Sequence, residues 1–334
     1  MPEDAGAHEA WLEAIQAAGS LEALGGPALD QLLAGGQGMP LKYRHLSWPG
    51  WLRTEHRRDA AGRAGHHFAV LATAELPGDV LETLDADIPR TRADLLPESR
   101  HGELRRVLTA WCLLDPSVGY AQGMNTLAAV ILSLGFEEEV AFWLLAAILQ
   151  DLLPACHAPD LSGLFRDVAL ADVLLETFLP AHRALLSAAG IDLLWLAVDY
   201  FVTLGAKDAP LSLVVRLWDL CFLHGPRALF AGLLARIELC FPRPPGRALA
   251  AGEADAESLM EAYRAAACDG GGAEQLAART LDFLHERDGG ISAALVEQLR
   301  SLLAQGDDAT PPRSPSMGGP GPPECSAHAA GAPA

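Results

Sequence analysis

The sequence predicts an all-α fold, because apolar residues recur at helical spacing, strand-like alternation is nearly absent, and helix-breaking residues follow the apolar stripes. The clearest stripe lies in residues 103–115. Apolar side chains there occupy positions i, i+3, i+4, i+7 and i+8, namely Leu104, Val107, Leu108, Trp111 and Cys112. Asp115-Pro116 predicts the end of this helix, because the residue before a proline avoids the α region.

The later helices are predicted from the same periodicity and from residues typical of helix starts. Glu137–Glu139 put acidic side chains in the first turn of the next apolar run, where the helix dipole favours negative charge. Pro226 suits the first position of a helix that reaches about Leu239, because a proline there loses no intrahelical hydrogen bond. Further helical patterns cover roughly 161–179, 192–204, 211–223, 255–267, 274–287 and 291–304.

Composition divides the chain into three parts. Residues 1–37 are acidic and rich in Ala and Gly, and they predict one or two short helices on a loose lead-in. Residues 38–304 carry the helical patterns of the expected folded domain, with 241–256 as a surface loop. Residues 305–334, in which Pro, Gly and Ser prevail, predict a disordered tail, because they offer too little apolar surface to pack.

Charge and composition exclude several classes of protein. The chain has 334 residues, of which 50% are hydrophobic, and a formal net charge of −19. The hydrophobic fraction supports a sizeable core. The acidic total argues against a general nucleic-acid binder and against a polybasic membrane binder, because both need a cationic surface. We interpret the basic stretch 42–63 as a solvated face, or alternatively as the complement of an acidic patch on a protein partner.

No segment predicts a membrane span or an oxidising compartment. The apolar runs 127–136 and 140–149 are each ten residues long, whereas a span needs roughly 20. The N-terminus lacks the basic and apolar regions of a signal peptide, and no prenylation box ends the chain. The 6 cysteines lie far apart with no C-x-x-C pair, so we expect a reduced, cytoplasmic protein.

Other kinds of chemical site receive weaker support. Cys156-His157 suggests a cysteine nucleophile, but sequence neighbours need not face each other and no third group is implied. His66-His67 lacks a Cys, Asp or Glu at ligand spacing, so we interpret it as a solvated pair and predict no metal site. There is no G-x-x-x-x-G-K-[ST] phosphate loop. A paired-carboxylate hydrolase stays open as an alternative, although no pair suggests itself.

Two loops carry the most informative polar residues. In residues 84–91, Pro89 predicts an extended Ile88, with Arg90 on a non-helical segment. In residues 116–125, Gly119 and Gly123 flank Gln122 and permit backbone angles closed to other residues. Loops held by a rigid helical scaffold are typical places for binding chemistry.

These loops also carry motifs of a known family. Leu84–Thr91 follows I-x-x-D-x-x-R-T with Leu84 in place of Ile, and Tyr120–Asn125 reads Y-x-Q-G-M-N unbroken. Ser212–Asp219 ends in R-x-W-D, and Gly38–Trp48 follows the pattern G-I-P-x-x-x-R-x-x-x-W with Met in place of Ile. With these motifs in this order, the chain resembles the TBC-domain proteins, the Rab GTPase-activating proteins. The resemblance implies a multi-helix TBC-type domain of two helical subdomains over 38–304. Arg92 departs from the family, because an aromatic residue commonly follows its Arg-Thr pair.

The resemblance implies a division of roles among the loop residues. Arg90 would be an arginine finger and Gln122 a glutamine finger, both supplied in trans to the partner GTPase. GTP and Mg²⁺ would be carried by that partner, so no cofactor of the chain's own is implied. Asp87 could orient Arg90 from three residues away. The remaining residues would support the loops or bind the partner: Thr91, Tyr120, Gly123 and Asn125.

The third motif favours structural support over catalysis. Trp218 shares an apolar helix face with Val214, Val215 and Phe222, so we predict that it lies in the core. Arg216 and Asp219 form an i, i+3 pair that could bond locally or brace a loop.

The sequence therefore predicts a regulator rather than an enzyme in its own right. The leading hypothesis is a cytoplasmic GTPase-activating protein in vesicle trafficking, peripheral on endomembranes through a GTP-bound Rab. A non-catalytic Rab-GTP effector or scaffold of the same fold is the alternative, and an unrelated helical hydrolase is a more distant one.

Overall fold

The computed structural model describes residues 5–36, 38–241, 256–267, 272–285 and 289–306, and within these ranges every regular element is helical. The all-α prediction is therefore confirmed. The predicted tail covered 305–334, but residues 305 and 306 end the last helix, and residues 307–334 lie outside the described residues. Most of the predicted surface loop, residues 242–255, also lies outside them.

The helices of the first half of the chain include those predicted over 103–115 and from Glu137–Glu139 onward, together with others that no sequence pattern predicted. They are α1 (Ala5–Ala18), α2 (Gly26–Ala34), α3 (Leu41–Trp51), α4 (Thr54–Arg63), α5 (Phe68–Leu71), α6 (Gly78–Asp87), α7 (His101–Leu114), α8 (Met124–Ser133) and α9 (Glu138–Ala147). Short 3-10 helices occupy Ile88–Arg90 and Glu98–Arg100, and a π-helical turn, Ile148–Leu152, follows α9. As predicted, α7 ends before Asp115-Pro116.

The helices of the second half follow the predicted ranges to within about two residues, apart from Pro180–Ala188, which no sequence pattern predicted. They are α10 (Ser162–Phe178), α11 (Pro180–Ala188), α12 (Leu193–Val202), α13 (Leu211–His224), α14 (Pro226–Cys240), α15 (Ala256–Ala267), α16 (Ala273–His285) and α17 (Ala293–Gly306). Pro226 is the first residue of α14, as its fixed φ angle predicts.

The core is formed by two groups of helices. In the first half α7, α8 and α9 pack against one another, and in the second half α13, α14 and α16 do the same. Large side chains in these groups are at most 1% exposed, namely Trp111, Phe142, Trp218 and Phe230. Removing such side chains from water stabilises the fold by roughly 1.5–3 kcal/mol each. The two groups agree with the two helical subdomains that we expected.

The N-terminal helices are packed rather than loose. Trp11 of α1 is 1% exposed, and its Nε1 donates a hydrogen bond to the carbonyl oxygen of Gly38 at 3.0 Å. Leu33 of α2 is also 1% exposed, and α2 packs against α16. The short helices expected in residues 1–37 are present, and burial of Trp11 and Leu33 holds them on the body of the protein.

Within the described residues, no single helix is long and apolar enough to cross a membrane. Pro180–Ala188 and Leu193–Val202 meet the length and composition criteria only as a pair, and the two helices are bent by 113°.

Candidate functional site

The first loop, residues 88–96, follows α6 directly and is called the Arg90 loop. The predictions of an extended Ile88 and of Arg90 on a non-helical segment were wrong, because Ile88 has φ −53° and ψ −48° and opens a 3-10 helix that ends at Arg90. The preference against helix before Pro89 is outweighed, since the Ile88 side chain is buried and Thr91 Oγ1 donates to the carbonyl of Asp87 at 2.7 Å. Thr91 then leaves the turn in an extended conformation.

The second loop, residues 115–123, joins α7 to α8 and is called the Gln122 loop. Gly119 has φ +63° and Gly123 has φ +106°, which are the conformations that glycine was predicted to permit. Trp111 Nε1 anchors the loop to α7 by donating to the carbonyl of Gly119 at 2.9 Å. Gln122 is exposed between the two glycines, and its amide has no hydrogen-bond partner in the described part of the chain.

The carboxylate of Asp87 joins the two loops. Arg90 Nη2 donates a hydrogen bond to Asp87 Oδ1, and the Tyr120 hydroxyl donates to Asp87 Oδ2 at 2.7 Å. The Asp87 side chain is 6% exposed, whereas that of Arg90 is 69% exposed. Burial raises the pKa of Tyr120, and the hydrogen bond to Asp87 adds to this rise, so the hydroxyl stays protonated as a donor. The buried carboxylate therefore holds an exposed guanidinium and the Gln122 loop together.

A second bridge runs through the buried amide of Asn125. Its Nδ2 donates to Thr91 Oγ1 at 2.7 Å, and its Oδ1 accepts from the backbone N–H of Gly123 at 3.0 Å. Both groups of the amide are therefore satisfied, one by each loop. Asn125 and Tyr120 contact the loops as their predicted supporting roles require, and the predicted contact of Asp87 with Arg90 is present.

Arg92 makes a third connection, which sequence reasoning missed. Its Nη1 donates to the carbonyl of Ala206 at 2.7 Å, its Nη2 donates to the carbonyl of Ala209 at 3.0 Å, and both Nε and Nη2 bond Asp94. The side chain is only 8% exposed, and the backbone φ is +39°. Arg92 thus ties the Arg90 loop to the connection between α12 and α13, beside an open cleft of about 490 Å³ that Arg90 also lines.

The third motif supports the N-terminal helices. We expected Arg216 either to pair locally with Asp219 or to brace a loop, and the local pair does not form. Its Nη2 donates to the carbonyl of Ala34 at 2.8 Å, and its Nη1 donates to that of Gly36 at 2.8 Å. Free carbonyls at the end of α2 are therefore satisfied by this guanidinium. Burial lowers the pKa of Arg216, although nearby carboxylates oppose the change.

Asp219 bonds residues that lie far away in the sequence. Arg44 donates to both carboxylate oxygens, through Nη2 at 2.8 Å and through Nε at 3.0 and 3.2 Å, and Trp48 Nε1 donates at 2.8 Å. Burial raises the pKa of Asp219, while the nearby Arg44 charge and these hydrogen bonds oppose the rise. Trp218 is fully buried beside this pair, as predicted. These buried residues support the fold rather than contact a partner.

The alternative sites suggested by the sequence lack the required geometry. Burial raises the pKa of the Cys156 thiol to about 12, and His157 Nε2 bonds the carbonyl of Val202 at 2.9 Å instead of the thiol. Little thiolate is therefore present near neutral pH. His66 and His67 are exposed, and no group of metal ligands in the described residues includes either one.

Gly123→Ala is expected to destabilise the protein by more than the same change at Gly119. At Gly123 the added Cβ would lie 2.6 Å from the carbonyl oxygen of Val202, and a side chain at φ +106° adds backbone strain of roughly 1–3 kcal/mol. Urea unfolding followed by tryptophan fluorescence measures the difference.

Gly119→Ala is the matched control, because Gly119 also has a positive φ but no atom lies within 4 Å of its added Cβ. It tests backbone strain alone. Equal losses of unfolding free energy in the two variants would contradict the close approach of the Gln122 loop to α12.

Comparisons with known proteins cover the region that carries both loops. Residues 48–242 match the family described as the Rab-GTPase-TBC domain. Human Small G protein signaling modulator 3 is 35% identical over 170 residues, which are 51% of this chain and 22% of that protein. Growth hormone-regulated TBC protein 1 of Xenopus laevis is 27% identical over 208 residues, 60% of each chain. The chain thus aligns with less than two thirds of the length of either relative.

Solved structures show the same fold. The Chlamydomonas flagellar RabGAP TBC domain superposes with a TM-score of 0.65 at 25% identity and covers 83% of this chain and 91% of its own. The Ypt/Rab-GAP domain of Gyp1p superposes with a TM-score of 0.59 at 14% identity, over 82% of this chain and 97% of its own. The latter similarity concerns the fold alone.

Proposed function

Because the chain belongs to the Rab-GTPase-TBC domain family, we propose that it accelerates GTP hydrolysis by a Rab-family small GTPase with Arg90 and Gln122 as the groups supplied in trans. The protein acts on its partner as a regulator, and the GTP-bound GTPase is its substrate. The observation that carries the proposal is the pair of bridges, through Asp87 and Asn125, that joins the two loops and leaves Arg90 and Gln122 exposed.

Arg90 supplies positive charge where the reaction needs it. As the γ-phosphoryl group leaves, negative charge builds on the phosphate oxygens, and an arginine from a partner stabilises it by a factor of about 10³–10⁵ in rate. This range corresponds to about 4–7 kcal/mol of barrier. A guanidinium stays charged and presents planar donors that match phosphate oxygens. With 69% of its side chain exposed, Arg90 can enter the nucleotide site of a docked GTPase.

Gln122 orients the attacking water. A carboxamide both accepts and donates hydrogen bonds, so it can hold a water molecule in line with the phosphate. In this protein the Gln122 amide is exposed and unpartnered among the described residues, while the backbone on either side is anchored at Gly119 and Gly123. Anchoring the loop before the partner binds lowers the entropic cost of assembling the site.

The partner carries the remaining chemical groups. GTP and Mg²⁺ belong to the GTPase, and Mg²⁺ neutralises charge between the β- and γ-phosphates there. This chain contributes no phosphate-binding loop of its own. Recruitment by a GTP-bound Rab places the protein in the cytoplasm and peripherally on endomembranes.

Single-turnover hydrolysis across a panel of GTP-loaded Rab proteins tests the proposal. We expect the 334-residue chain at catalytic concentration to accelerate hydrolysis by at least one Rab by a thousandfold or more, in line with the effect of an arginine finger. Binding that is selective for the GTP form without acceleration would favour the non-catalytic effector instead. Hydrolysis of a small substrate with no GTPase present would revive a helical hydrolase.

Asp87→Asn is expected to lower the maximal rate about 5- to 30-fold with little change in the KM for the GTP-bound Rab. The neutral amide still accepts from Tyr120 but no longer pairs electrostatically with Arg90, so the guanidinium is held less well before the partner docks. Rates measured against the concentration of GTP-bound Rab separate the two parameters.

Asp85→Asn is the control for this experiment, because Asp85 is an exposed carboxylate on the same helix that pairs with Arg105. We expect no change in rate from this variant. An unaltered maximal rate in Asp87→Asn would remove the positioning role.

A further inference from the structure

A cluster of metal-binding side chains lies away from the two loops, where α2, α13 and α16 meet. Asp30 of α2 accepts hydrogen bonds from His224 Nε2 at 2.7 Å and from His285 Nε2 at 2.8 Å, one at each carboxylate oxygen. The donor atoms of these residues all lie within 4.8 Å of one another. His224 and His285 lie 194 and 255 positions after Asp30 in the chain, so no spacing in the sequence predicts the cluster.

The chemistry of this cluster suits a transition metal. Two imidazole nitrogens and one carboxylate oxygen are a usual ligand set for Zn²⁺, with an open fourth position for water. A tetrahedral Zn²⁺ at about 2.0–2.2 Å from each donor separates the ligand atoms by roughly 3.3–3.5 Å. The observed separations require only small shifts toward that geometry. His285 can supply them, because it ends α16 and its side chain is 50% exposed.

The surroundings favour a cation at this point. His224 and His285 are the last residues of α13 and α16, so the negative ends of two helix dipoles converge on the Asp30 carboxylate. Asp30 and His285 also line an open cleft of about 640 Å³, which gives solvent access to a fourth ligand position. Asp282 faces the same cleft one turn before His285, and it accepts from Arg279.

From this geometry we propose that Asp30, His224 and His285 form a Zn²⁺-binding site that joins α2 to the C-terminal ends of α13 and α16. The site is independent of the two loops and of the proposed GTPase activation. Zinc binds the Nε2 lone pairs of the two imidazoles, so each Nε2 proton that donates to Asp30 in the metal-free protein leaves to solvent and Nδ1 takes up a proton in its place.

Arg227 controls the strength of this site. Its Nη2 donates to His224 Nδ1 at 3.1 Å, which requires that Nδ1 carry a lone pair and Nε2 carry the proton. Zinc at Nε2 needs the opposite tautomer, in which Nδ1–H donates to an acceptor. Arg227 therefore opposes metal binding both by this hydrogen bond and by its positive charge. Glutamine at this position offers an acceptor oxygen instead.

Metal titration of the 334-residue chain tests the site. We expect one equivalent of Zn²⁺ to bind in calorimetry in the presence of millimolar Mg²⁺, which suppresses non-specific attraction to a chain of net charge −19. Cobalt in place of zinc should give the intense visible absorption of tetrahedral coordination. His285→Gln and Asp30→Asn should each weaken Zn²⁺ affinity at least tenfold, and Arg227→Gln should strengthen it severalfold.

His66→Gln is the matched control, because it removes an exposed imidazole outside the cluster and should leave affinity unchanged. Zinc should also raise the melting temperature of the wild type but not that of His285→Gln. Circular dichroism confirms that each variant is folded. Absence of saturable binding, equal affinity in His285→Gln and wild type, or a thiolate-to-cobalt charge-transfer band that places the metal on a cysteine would each overturn the proposal.

Discussion

Arg90→Ala is expected to reduce the rate of Rab-stimulated GTP hydrolysis by about 10³–10⁵-fold, because the variant lacks the guanidinium that stabilises charge on the transferring phosphoryl group. The loss should appear in the maximal rate rather than in the affinity for the GTP-bound GTPase, since this interaction forms fully only in the transition state. The fold should be unaffected, because the Arg90 side chain is 69% exposed and its ion pair with Asp87 is a local one. Single-turnover hydrolysis and equilibrium binding measure the two effects.

Arg90→Lys tests whether the positive charge of Arg90 is sufficient without the planar shape of its guanidinium. Lysine keeps the positive charge but not the planar fork of donors, so we expect it to recover only a small part of the lost rate.

Gln122→Ala should lower the rate at least tenfold, because the attacking water is then oriented only by groups of the GTPase.

The control for Arg90 is Arg58→Ala, an exposed arginine on α4 whose guanidinium lies beside Asp59. It tests whether loss of any surface positive charge slows encounter with the partner. A loss of less than tenfold in Arg90→Ala, or an equal loss in Arg58→Ala, would contradict the assignment of Arg90 as the catalytic arginine.

Arg44→Met is expected to lower the free energy of unfolding by about 3–5 kcal/mol. Arg44 and Asp219 are at most 4% exposed, and no solvent reaches the carboxylate to replace the lost ion pair. The variant therefore leaves a buried carboxyl group without its ion-pair partner, while Trp48 Nε1 still donates to it. Urea unfolding followed by circular dichroism measures the loss.

A second substitution identifies the buried charge as the cause. Asn in place of Asp219 removes the charge but keeps an oxygen that accepts from Trp48 Nε1, so Arg44→Met/Asp219→Asn should be more stable than Arg44→Met alone. A structural role for the pair would be contradicted if Arg44→Met lowered the free energy of unfolding by less than 1 kcal/mol. It would also be contradicted if the double variant were no more stable than Arg44→Met.

Local rules predicted most of the helices because short-range chemistry decides where a helix starts and stops. Asp115-Pro116 ends α7, Glu138 and Glu139 lie in the first turn of α9, and Pro226 opens α14, all as expected. The same rules failed at Ile88, where a preference of the backbone before proline was outweighed by burial of the side chain. Propensity is a weak term compared with tertiary packing.

The candidate site was predicted in its residues but not in most of its contacts. The motif pattern pointed to Arg90 and Gln122, and a spacing of three residues suggested that Asp87 contacts Arg90. Nothing in the sequence showed that Tyr120 reaches the same carboxylate, that Asn125 bonds Thr91, or that Arg92 holds the connection after α12.

The amino-acid sequence by itself determined that the protein is helical and where α7 and most helices of the second half end, because hydrophobic periodicity and capping depend on neighbours within a few residues. Only the tertiary structure decided which groups share a site. Arg44 meets Asp219 across 175 positions, and Asp30 meets His285 across 255. Pairings at such separation depend on how the helices pack in three dimensions, which no local pattern encodes.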